Sequence, residues 1–333
     1  MGQDNAGAGR RTVLAPVVAV AGTTAALAGL NRLIDFQAGP LPEQLPADPQ
    51  EYESRFGRVM YYTAGEDDAP PLLLIHGHNA AASAYEFRNQ FTRLAQHYHV
   101  FAPDLIGYGL SDRPPIEYTA ETYIELIRDL LREVVRAPAI VVASSLSGAH
   151  AIQVAADDPE WITHLVLIGP TGLSRQTGPD GVGRAVTALL RSPVVGETLF
   201  HGLASRAGIR GFLRNQTYAD PDCVDDDLVE MNYLSAHQPG ARYAPASFVG
   251  GALGHDVHDA WPRVGQPALL VWGAEAQITP VGDAAGFLAL NPGTELETIQ
   301  AAGLVPHDEQ PEEFARIVLD WLERTKNLIP GPV

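Results

Sequence analysis

Three serines, Ser144, Ser145 and Ser147, lie where an apolar run is followed by a helical pattern. The apolar residues 139–144 predict a strand, and Ser145 then occupies the sharp turn that leads into the helix. The small residues Ala143 and Ser147 flank it at a distance of two and would let strand and helix approach closely. This pattern predicts Ser145 as a nucleophile with an exposed oxygen, and the alternative is a group of ordinary turn serines.

Backbone amides next to this turn could stabilise negative charge on a substrate oxygen. Leu146 follows Ser145 directly, so its N–H could form one half of an oxyanion hole. The N–H of His78, which follows the predicted strand 71–76, could form the other half. The His78 side chain would lie at the mouth of a cavity, where it could also act as an acid or a base.

Four segments in this order resemble the α/β-hydrolase superfamily, over roughly residues 55–325. They are Leu-Ile-His-Gly-His-Asn at 74–79, Asp-x-x-Gly-x-Gly-x-Ser-Asp-x-Pro at 104–114, the serine turn at 142–148, and Trp-Gly at 272–273 with the later segments 278–280 and 306–311. The resemblance implies an α/β fold with a mostly parallel eight-stranded sheet wound with helices and a helical cap. It also implies a catalytic triad of serine, acid and histidine.

The acid and histidine positions of that family pattern hold other residues here. The position three residues after Gly273, where the family has Asp, is Ala276. The position after Gly303, where the family has His, is Leu304. A serine without a neighbouring base is a weak nucleophile at neutral pH, so the sequence disfavours ordinary ester hydrolysis.

Neighbouring residues could replace the two lost groups. Glu275 lies one residue before the acid position and His307 lies three after the histidine position, so a shifted triad Ser145–His307–Glu275 is one hypothesis. The other hypothesis gives His307 a structural role near the start of the last helix, separated from Ser145. Adjacent residues on an extended segment point to opposite sides, which favours the second hypothesis.

Several other polar residues match family positions or candidate metal spacings. His76 and Asp104 correspond to positions that usually order loops, and we expect structural roles for them. His255 and His258 could suit a metal by spacing, but no third ligand cluster accompanies them. We therefore predict no metal and no cofactor.

The N-terminus contains a 19-residue uncharged run, residues 12–30, with Arg10 and Arg11 before it and Arg32 after it. As a helix this run would be about 28 Å long, close to the thickness of a bilayer core. It could be a membrane anchor, a secretory signal with a possible cleavage site at 19–21, or a helix packed on the protein. The positive charge before the run favours a main domain outside the cytoplasm, and we predict a membrane-associated protein that is extracytoplasmic or secreted.

Short apolar runs alternate with helical patterns through most of the chain, which is typical of a parallel sheet. We predict an N-terminal hydrophobic segment (1–35), a proline-rich linker (36–50), a first core part (51–170), a cap (171–262) and a second core part (263–333). The predicted strands are 59–63, 71–76, 99–104, 139–144, 165–169, 268–272 and 296–300. A helix capped by Thr119 and a last helix beginning at Pro311 are also predicted, with a buried stripe on the latter formed by Phe314, Ile317, Val318, Trp321 and Leu322.

Composition excludes some classes of partner. The net charge of −18 argues against nucleic acid, which needs clustered Lys and Arg. The one cysteine, Cys223, cannot form an internal disulfide.

Three hypotheses for the function follow. The first is a cofactor-independent enzyme acting on a bulky apolar small molecule bound against the cap aromatics, non-hydrolytic like the lyases and cyclases that the resemblance includes. The second is a serine hydrolase with the shifted triad. The third is a catalytically silent ligand-binding or membrane-tethered protein.

Overall fold

The computed structural model describes residues 8–173 and 179–328, with side chains from residue 22 onward. Within these ranges the strands form one eight-stranded sheet in the order β1-β2-β4-β3-β5-β6-β7-β8. The two antiparallel pairs are β1 with β2 and β2 with β4, and the other neighbours are parallel. The strands are β1 (Gln50–Ser54), β2 (Gly57–Ala64), β3 (Pro71–Ile75), β4 (His99–Pro103), β5 (Ala139–Ser144), β6 (Ile162–Ile168), β7 (Ala268–Gly273) and β8 (Glu295–Ile299). The prediction of a mostly parallel eight-stranded sheet is confirmed.

Seven of these strands overlap the seven apolar runs seen in the sequence, and β1 is the strand that sequence patterning missed. Its residues Gln-Glu-Tyr-Glu-Ser are largely exposed at the edge of the sheet. An edge strand of this kind needs no apolar run, because only one side of it pairs and little of it is buried. The start of the predicted core at residue 51 therefore falls inside β1.

The central strands are fully buried and send alternate side chains into two core layers. One layer contains Leu73, Val141 and Leu165, together with the helices α3 (Ala120–Asp129) and α4 (Leu146–Asp157). The other contains Leu72, Val142 and Val166, together with α2 (Phe91–Leu94) and the last long helix. Burial on both faces explains why these strands read as continuous apolar runs rather than as alternating patterns.

Helix α3 begins at the predicted cap. The Thr119 hydroxyl accepts a hydrogen bond from the Thr122 amide at 3.4 Å, and the Thr119 amide donates to the Thr122 hydroxyl at 3.2 Å. We expect Thr119→Ala to lower the free energy of unfolding by about 1 kcal/mol, because it leaves an amide of the first turn unpaired. Urea denaturation measures this change, and an unchanged midpoint would show that solvent replaces the cap.

Five helices between β6 and β7 form the cap. They are α5 (Gly181–Arg191), α6 (Val195–Leu203), α7 (Arg206–Phe212), α8 (Asp226–Ala236) and α9 (Tyr243–Val249). Two aromatic residues of the predicted cap segment 171–262, Phe212 and Trp261, do not line a cavity under the cap. Phe212 is 44% exposed, and Trp261 is buried against Phe287 in the main core.

Four further helices lie outside the cap: three near the C-terminus and one at the N-terminus of the described part of the chain. Helices α10 (Ala284–Leu290), α11 (Pro306–Glu309) and α12 (Pro311–Thr325) follow β7 and β8, and all five residues of the stripe predicted on α12 are buried. Helix α1 (Ala8–Ala38) packs its C-terminal half on α6 of the cap. Among the residues whose side chains are described, no helix is long and apolar enough to span a membrane, and residues 12–21 of the predicted segment lie outside that part of the chain.

Candidate active site

Ser145 lies on the strained turn between β5 and α4. Its backbone has φ 53° and ψ −121°, a conformation that costs a non-glycine residue of order 1–3 kcal/mol. The turn is held by the Ser145 amide, which donates to the Ile168 carbonyl at 2.8 Å, and the side chain is half-buried. Leu146 is the first residue of α4, so its amide has no partner within the helix, and its role in an oxyanion hole remains a prediction.

Ser147 replaces the glycine that the family pattern has two residues after the nucleophile. It is fully buried, and its hydroxyl donates to the His76 carbonyl at 2.6 Å. This bond joins the nucleophile turn to the loop that carries His78. The larger residue is therefore accommodated by a hydrogen bond rather than by a wider turn.

His76 and Asp104 order the loops beside this turn. The Leu105 amide donates to His76 Nε2 at 3.0 Å, so the proton is on Nδ1, which donates to the Gly77 carbonyl at 2.7 Å. Burial lowers the pKa of His76 and keeps the imidazole neutral. Asp104 accepts from the amides of Ala84 and Leu110, both at 2.7 Å. These contacts are those of loop-ordering residues.

Glu86 lies between the oxyanion loop and the nucleophile turn, and no sequence motif marks it as a site residue. Its Oε2 accepts from the Gly77 amide at 2.9 Å, and its Oε1 is 3.4 Å from His307 Nε2. Burial alone would raise the pKa of Glu86, but its interactions with His307 and Ser144 outweigh burial and lower the pKa from its ordinary value. The carboxylate is therefore ionised at neutral pH, next to the loop that carries the His78 amide.

The two positions where the family pattern has an acid and a histidine lie in the loops that follow β7 and β8. Ala276 is buried in the turn after β7, and its amide donates to the Gly273 carbonyl at 3.2 Å. Leu304 is half-buried, and its amide donates to the carbonyl of the cap residue Thr217 at 2.7 Å. Neither side chain can accept or donate a proton, so both positions lack the groups that would activate Ser145.

The shifted triad Ser145–His307–Glu275 is not formed. His307 is fully buried between Phe87 and Phe314, and its Nε2 faces Glu86. Glu275 is exposed. The chain turns directly after β7, and in this turn the Ala276 side chain is buried while Glu275 is exposed to solvent. Among the described residues, no imidazole hydrogen-bonds to Ser145.

The His78 side chain lies in a buried aromatic cluster rather than at an open cavity mouth. Its ring is 4.4 Å from that of Tyr123 and 5.5 Å from that of His150, and its Nδ1 is 3.3 Å from the Tyr108 hydroxyl. Burial, with the neighbouring His150 and His76, lowers the pKa of His78 well below its ordinary value. This side chain is therefore a weak base, while the role predicted for its backbone amide remains a prediction.

His150, in the same cluster, is a second residue that sequence patterns did not reveal. It belongs to α4, and its Nε2 lies 2.9 Å from the Leu253 carbonyl. Burial lowers its pKa to about 4, so it is neutral at physiological pH. A histidine within an apolar helix gives no sequence signal that separates a site from a core.

A cavity of about 60 Å³ lies between the oxyanion loop and the cap. Its polar lining includes Asn79, Ser83, Glu86, Arg88, Tyr218 and Asp308. This volume is far below the roughly 300 Å³ or more of ordinary ligand sites, and the lining is not the aromatic one that the sequence predicted. A larger groove of about 710 Å³ lies at the opposite edge of the sheet, near Pro71 and Thr163, away from the chemistry.

The histidines with metal-like spacing bond to separate partners. His255 Nε2 lies 2.9 Å from Gln153 Oε1, and His258 Nδ1 lies 2.5 Å from Asp256 Oδ1. Another group of potential ligands, Asp35, Glu197 and His201, lies where α1 meets the cap. There Asp35 pairs with His201, and Glu197 pairs with Arg242. These two ion pairs explain why the three residues lie together, as part of the contact between α1 and the cap.

Comparisons with known proteins agree with this fold. The model of the alpha/beta hydrolase family matches residues 72–317. The chain is 28% identical over 275 residues to 2-hydroxy-6-oxo-6-(2'-aminophenyl)hexa-2,4-dienoic acid hydrolase of Metapseudomonas resinovorans, covering 80% of this chain and 88% of that protein. It is 27% identical over 293 residues to 2-hydroxymuconate semialdehyde hydrolase of Pseudomonas putida, covering 84% and 96%. A solved serine hydrolase involved in carbazole degradation superimposes with a TM-score of 0.69 at 26% identity, covering 83% of this chain and 98% of that one.

Proposed function

The chain belongs to the alpha/beta hydrolase family, and on that basis we propose that it is a cofactor-independent enzyme of carbonyl chemistry that works without a Ser–His–acid triad. A substrate carbonyl would lie beside Ser145, with its oxygen held by the amides of His78 and Leu146. Such amides stabilise negative charge whether it belongs to a tetrahedral intermediate or to an enolate.

One observation carries the proposal. The nucleophile turn keeps its strained geometry at Ser145, while Ala276 and Leu304 occupy both positions that would activate the serine. The retained parts stabilise an oxyanion, and the missing parts are those that make an acyl-enzyme. This combination favours a reaction that needs an oxyanion hole but no serine nucleophile.

Glu86 is the proposed base. Its carboxylate borders the cavity, is ionised at neutral pH and lies 3.4 Å from His307, whereas Asp308, also in the lining, is held more tightly, at 2.6 Å from Arg88. In the proposed step Glu86 takes a proton from a saturated carbon next to the carbonyl. The electron pair of that C–H bond forms a C=C bond to the carbonyl carbon, and the π pair of the C=O bond moves to the carbonyl oxygen. The amides of His78 and Leu146 hold the resulting enolate, from which a lyase or cyclase reaction can proceed.

The names of the relatives support a second candidate, a hydrolase. The two curated relatives are named as hydrolases of 2-hydroxy-6-oxo-dienoic acid and 2-hydroxymuconate semialdehyde, which contain carbonyl groups. In that candidate Ser145 is the nucleophile. The small cavity means that either reaction requires the cap to open, because a dienoic acid exceeds 60 Å³.

Deuterium exchange from D₂O into the methyl group next to the 6-oxo carbonyl of 2-hydroxy-6-oxo-2,4-heptadienoate tests the proposal, because this carbon is saturated and its deprotonation gives an enolate. We expect wild type and Ser145→Ala to catalyse exchange, and Glu86→Gln to lose it by about 10²-fold or more, because only Glu86 accepts the proton. NMR measures the rate. Glu312→Gln is the matched control, since Glu312 is an exposed surface carboxylate.

A fluorophosphonate probe separates the two candidates. The proposal expects Ser145 to react slowly, without the rate that an activated serine shows. Rapid labelling that disappears in Ser145→Ala would overturn the proposal and establish the hydrolase. Exchange that is equal in wild type and Glu86→Gln would remove Glu86 from the mechanism.

A further inference from the structure

The part of the cap that covers the cavity has an apolar core of its own. Helices α7 and α8, with the segment between them, form a cluster of buried residues: Ile209, Leu213, Tyr218, Val224, Leu228, Val229 and Tyr233. Partly buried residues from outside the cap pack at its border: Ala38, Tyr85 and Val305. The two helices are also joined by an ion pair, in which Arg206 Nε lies 2.6 Å from Glu230 Oε2. Residues 206–236, here termed the flap, are therefore held together by their own contacts.

Other cap helices are part of the main core instead. Ala244 of α9 is fully buried in the cluster that includes α3 and α4. Arg191, the last residue of α5, donates to the carbonyls of Ile116 at 2.7 Å and Pro115 at 2.9 Å. Helices α5 and α9 therefore cannot move without opening the main core, whereas the flap has a core separate from it.

A short segment between α7 and α8 hydrogen-bonds the flap to the rest of the protein. The Thr217 carbonyl accepts from the Leu304 amide at 2.7 Å. The amides of Ala219 and Asp220 donate to Glu309 Oε1 at 2.7 Å and 3.1 Å. Glu309 is 8% exposed, so these bonds to its carboxylate are shielded from water. They fix the position of the flap backbone above α11.

A side chain of the same segment makes a further contact with α11. The Tyr218 hydroxyl donates to Asp308 Oδ2, which also lies 2.6 Å from Arg88 Nη2. Asn89 Nδ2 donates to Asp308 Oδ1 at 2.8 Å. The core thus holds the Asp308 carboxylate in place with its own residues, and the flap contributes one hydroxyl to it. Breaking this contact releases the flap and leaves the Asp308–Arg88 pair intact.

The flap forms one side of the cavity of about 60 Å³, through Leu213, Thr217, Tyr218, Leu228 and Asn232. We propose that the flap opens to admit the substrate, and that Asp308 and Glu309 are the latch that holds it closed. The two latch residues directly follow His307, the partner of Glu86, in α11. One helical turn therefore contacts both the proposed base and the flap. The proposal takes the cavity as the site from the proposed function, but its test does not use catalysis, so each can fail without the other.

Thiol labelling of the full-length chain tests the latch. Cys223→Ser removes the one native thiol, and Ser83→Cys then places a thiol in the lining of the cavity, where Ser83 is 5% exposed. Ser247→Cys in α9 is the matched site outside the flap, since Ser247 is 1% exposed. Dithiobis(nitrobenzoic acid) reaches a buried thiol only when the structure opens, so the labelling rate measures opening.

Tyr218→Phe is expected to raise the labelling rate at residue 83 by about 10-fold or more and to leave the rate at residue 247 unchanged. The reason is that the variant removes a hydrogen bond to a charged acceptor, which stabilises the closed state. Tyr233→Phe is the matched control, because Tyr233 belongs to the flap cluster and its ring stacks on His237 of the cap. This control should label at the wild-type rate at both positions.

Equal labelling at residue 83 in the wild-type and Tyr218→Phe backgrounds would overturn the proposal. An equal increase at residues 83 and 247 would also overturn it, because the cap would then open as a whole. Hydrogen exchange measured by mass spectrometry needs no introduced thiol and covers the case in which a cysteine variant does not fold. The peptide that contains Leu304, whose amide is bonded to the flap, should exchange faster in Tyr218→Phe than in wild type, and unchanged exchange there would contradict the latch.

Discussion

Replacing Ala276 by Asp and Leu304 by His together is expected to raise the hydrolysis of 4-nitrophenyl butyrate by about 10³-fold. The reason is that general-base activation contributes typically 10²–10⁴-fold, and the turn at Ser145 and the amides of His78 and Leu146 already exist. Both positions lie on loops that end strands of the same sheet edge, so the new groups would face the serine as in the family pattern. Initial rates of nitrophenol release measure the change.

The single variants and a serine knockout control this experiment. Ala276→Asp or Leu304→His alone should give much less than the pair, because base and orienting acid act as a unit. Ser145→Ala in the double variant should return the rate to that of wild type. Circular dichroism shows whether Leu304→His, at a half-buried position bonded to the cap, leaves the fold intact. A folded double variant no faster than wild type would mean that Ser145 is not aligned for attack.

Removing the imidazole of His307 is expected to lower the free energy of unfolding by about 3–5 kcal/mol at pH 7. His307→Ala leaves a space between Phe87 and Phe314 and leaves the buried Glu86 carboxylate without its partner at 3.4 Å. Urea denaturation measures the loss. His164→Ala is the matched control. His164 is also buried, but its hydrogen-bond partner among the described residues is a neutral carbonyl, that of Thr325.

A double-mutant cycle with Glu86→Gln isolates the pair, and its pH dependence has a definite sign. The folded pKa of Glu86 is lowered from 4.5, so its contribution to stability is fully present above about pH 4.5. The contribution is lost as the pH falls through the lower folded pKa. The difference in stability between wild type and Glu86→Gln should therefore shrink below pH 4.5. A coupling energy near zero at pH 7 would contradict the assignment of the two residues as a pair.

Local patterns determined the elements that carry their own signal. The buried strands, the α3 cap at Thr119 and the stripe of α12 all follow from apolar spacing and capping chemistry, which act within a few residues. The turn at Ser145 was also predictable, because small flanking residues and a strand–helix junction are local requirements. The loss of the triad at Ala276 and Leu304 was readable from the motifs on either side.

Only the tertiary structure decided what surrounds the serine. Glu86 lies 59 residues before Ser145 and 221 before His307, and nothing near Glu86 in the sequence marks it as buried. The two segments meet because the loop after β3 and the helix α11 pack at the same edge of the sheet. The small cavity between the oxyanion loop and the cap, and the packing of α1 on α6, likewise depend on contacts between distant segments. Burial and charge pairing are properties of such long-range packing, and a local pattern contains no information about which distant residue will supply the partner.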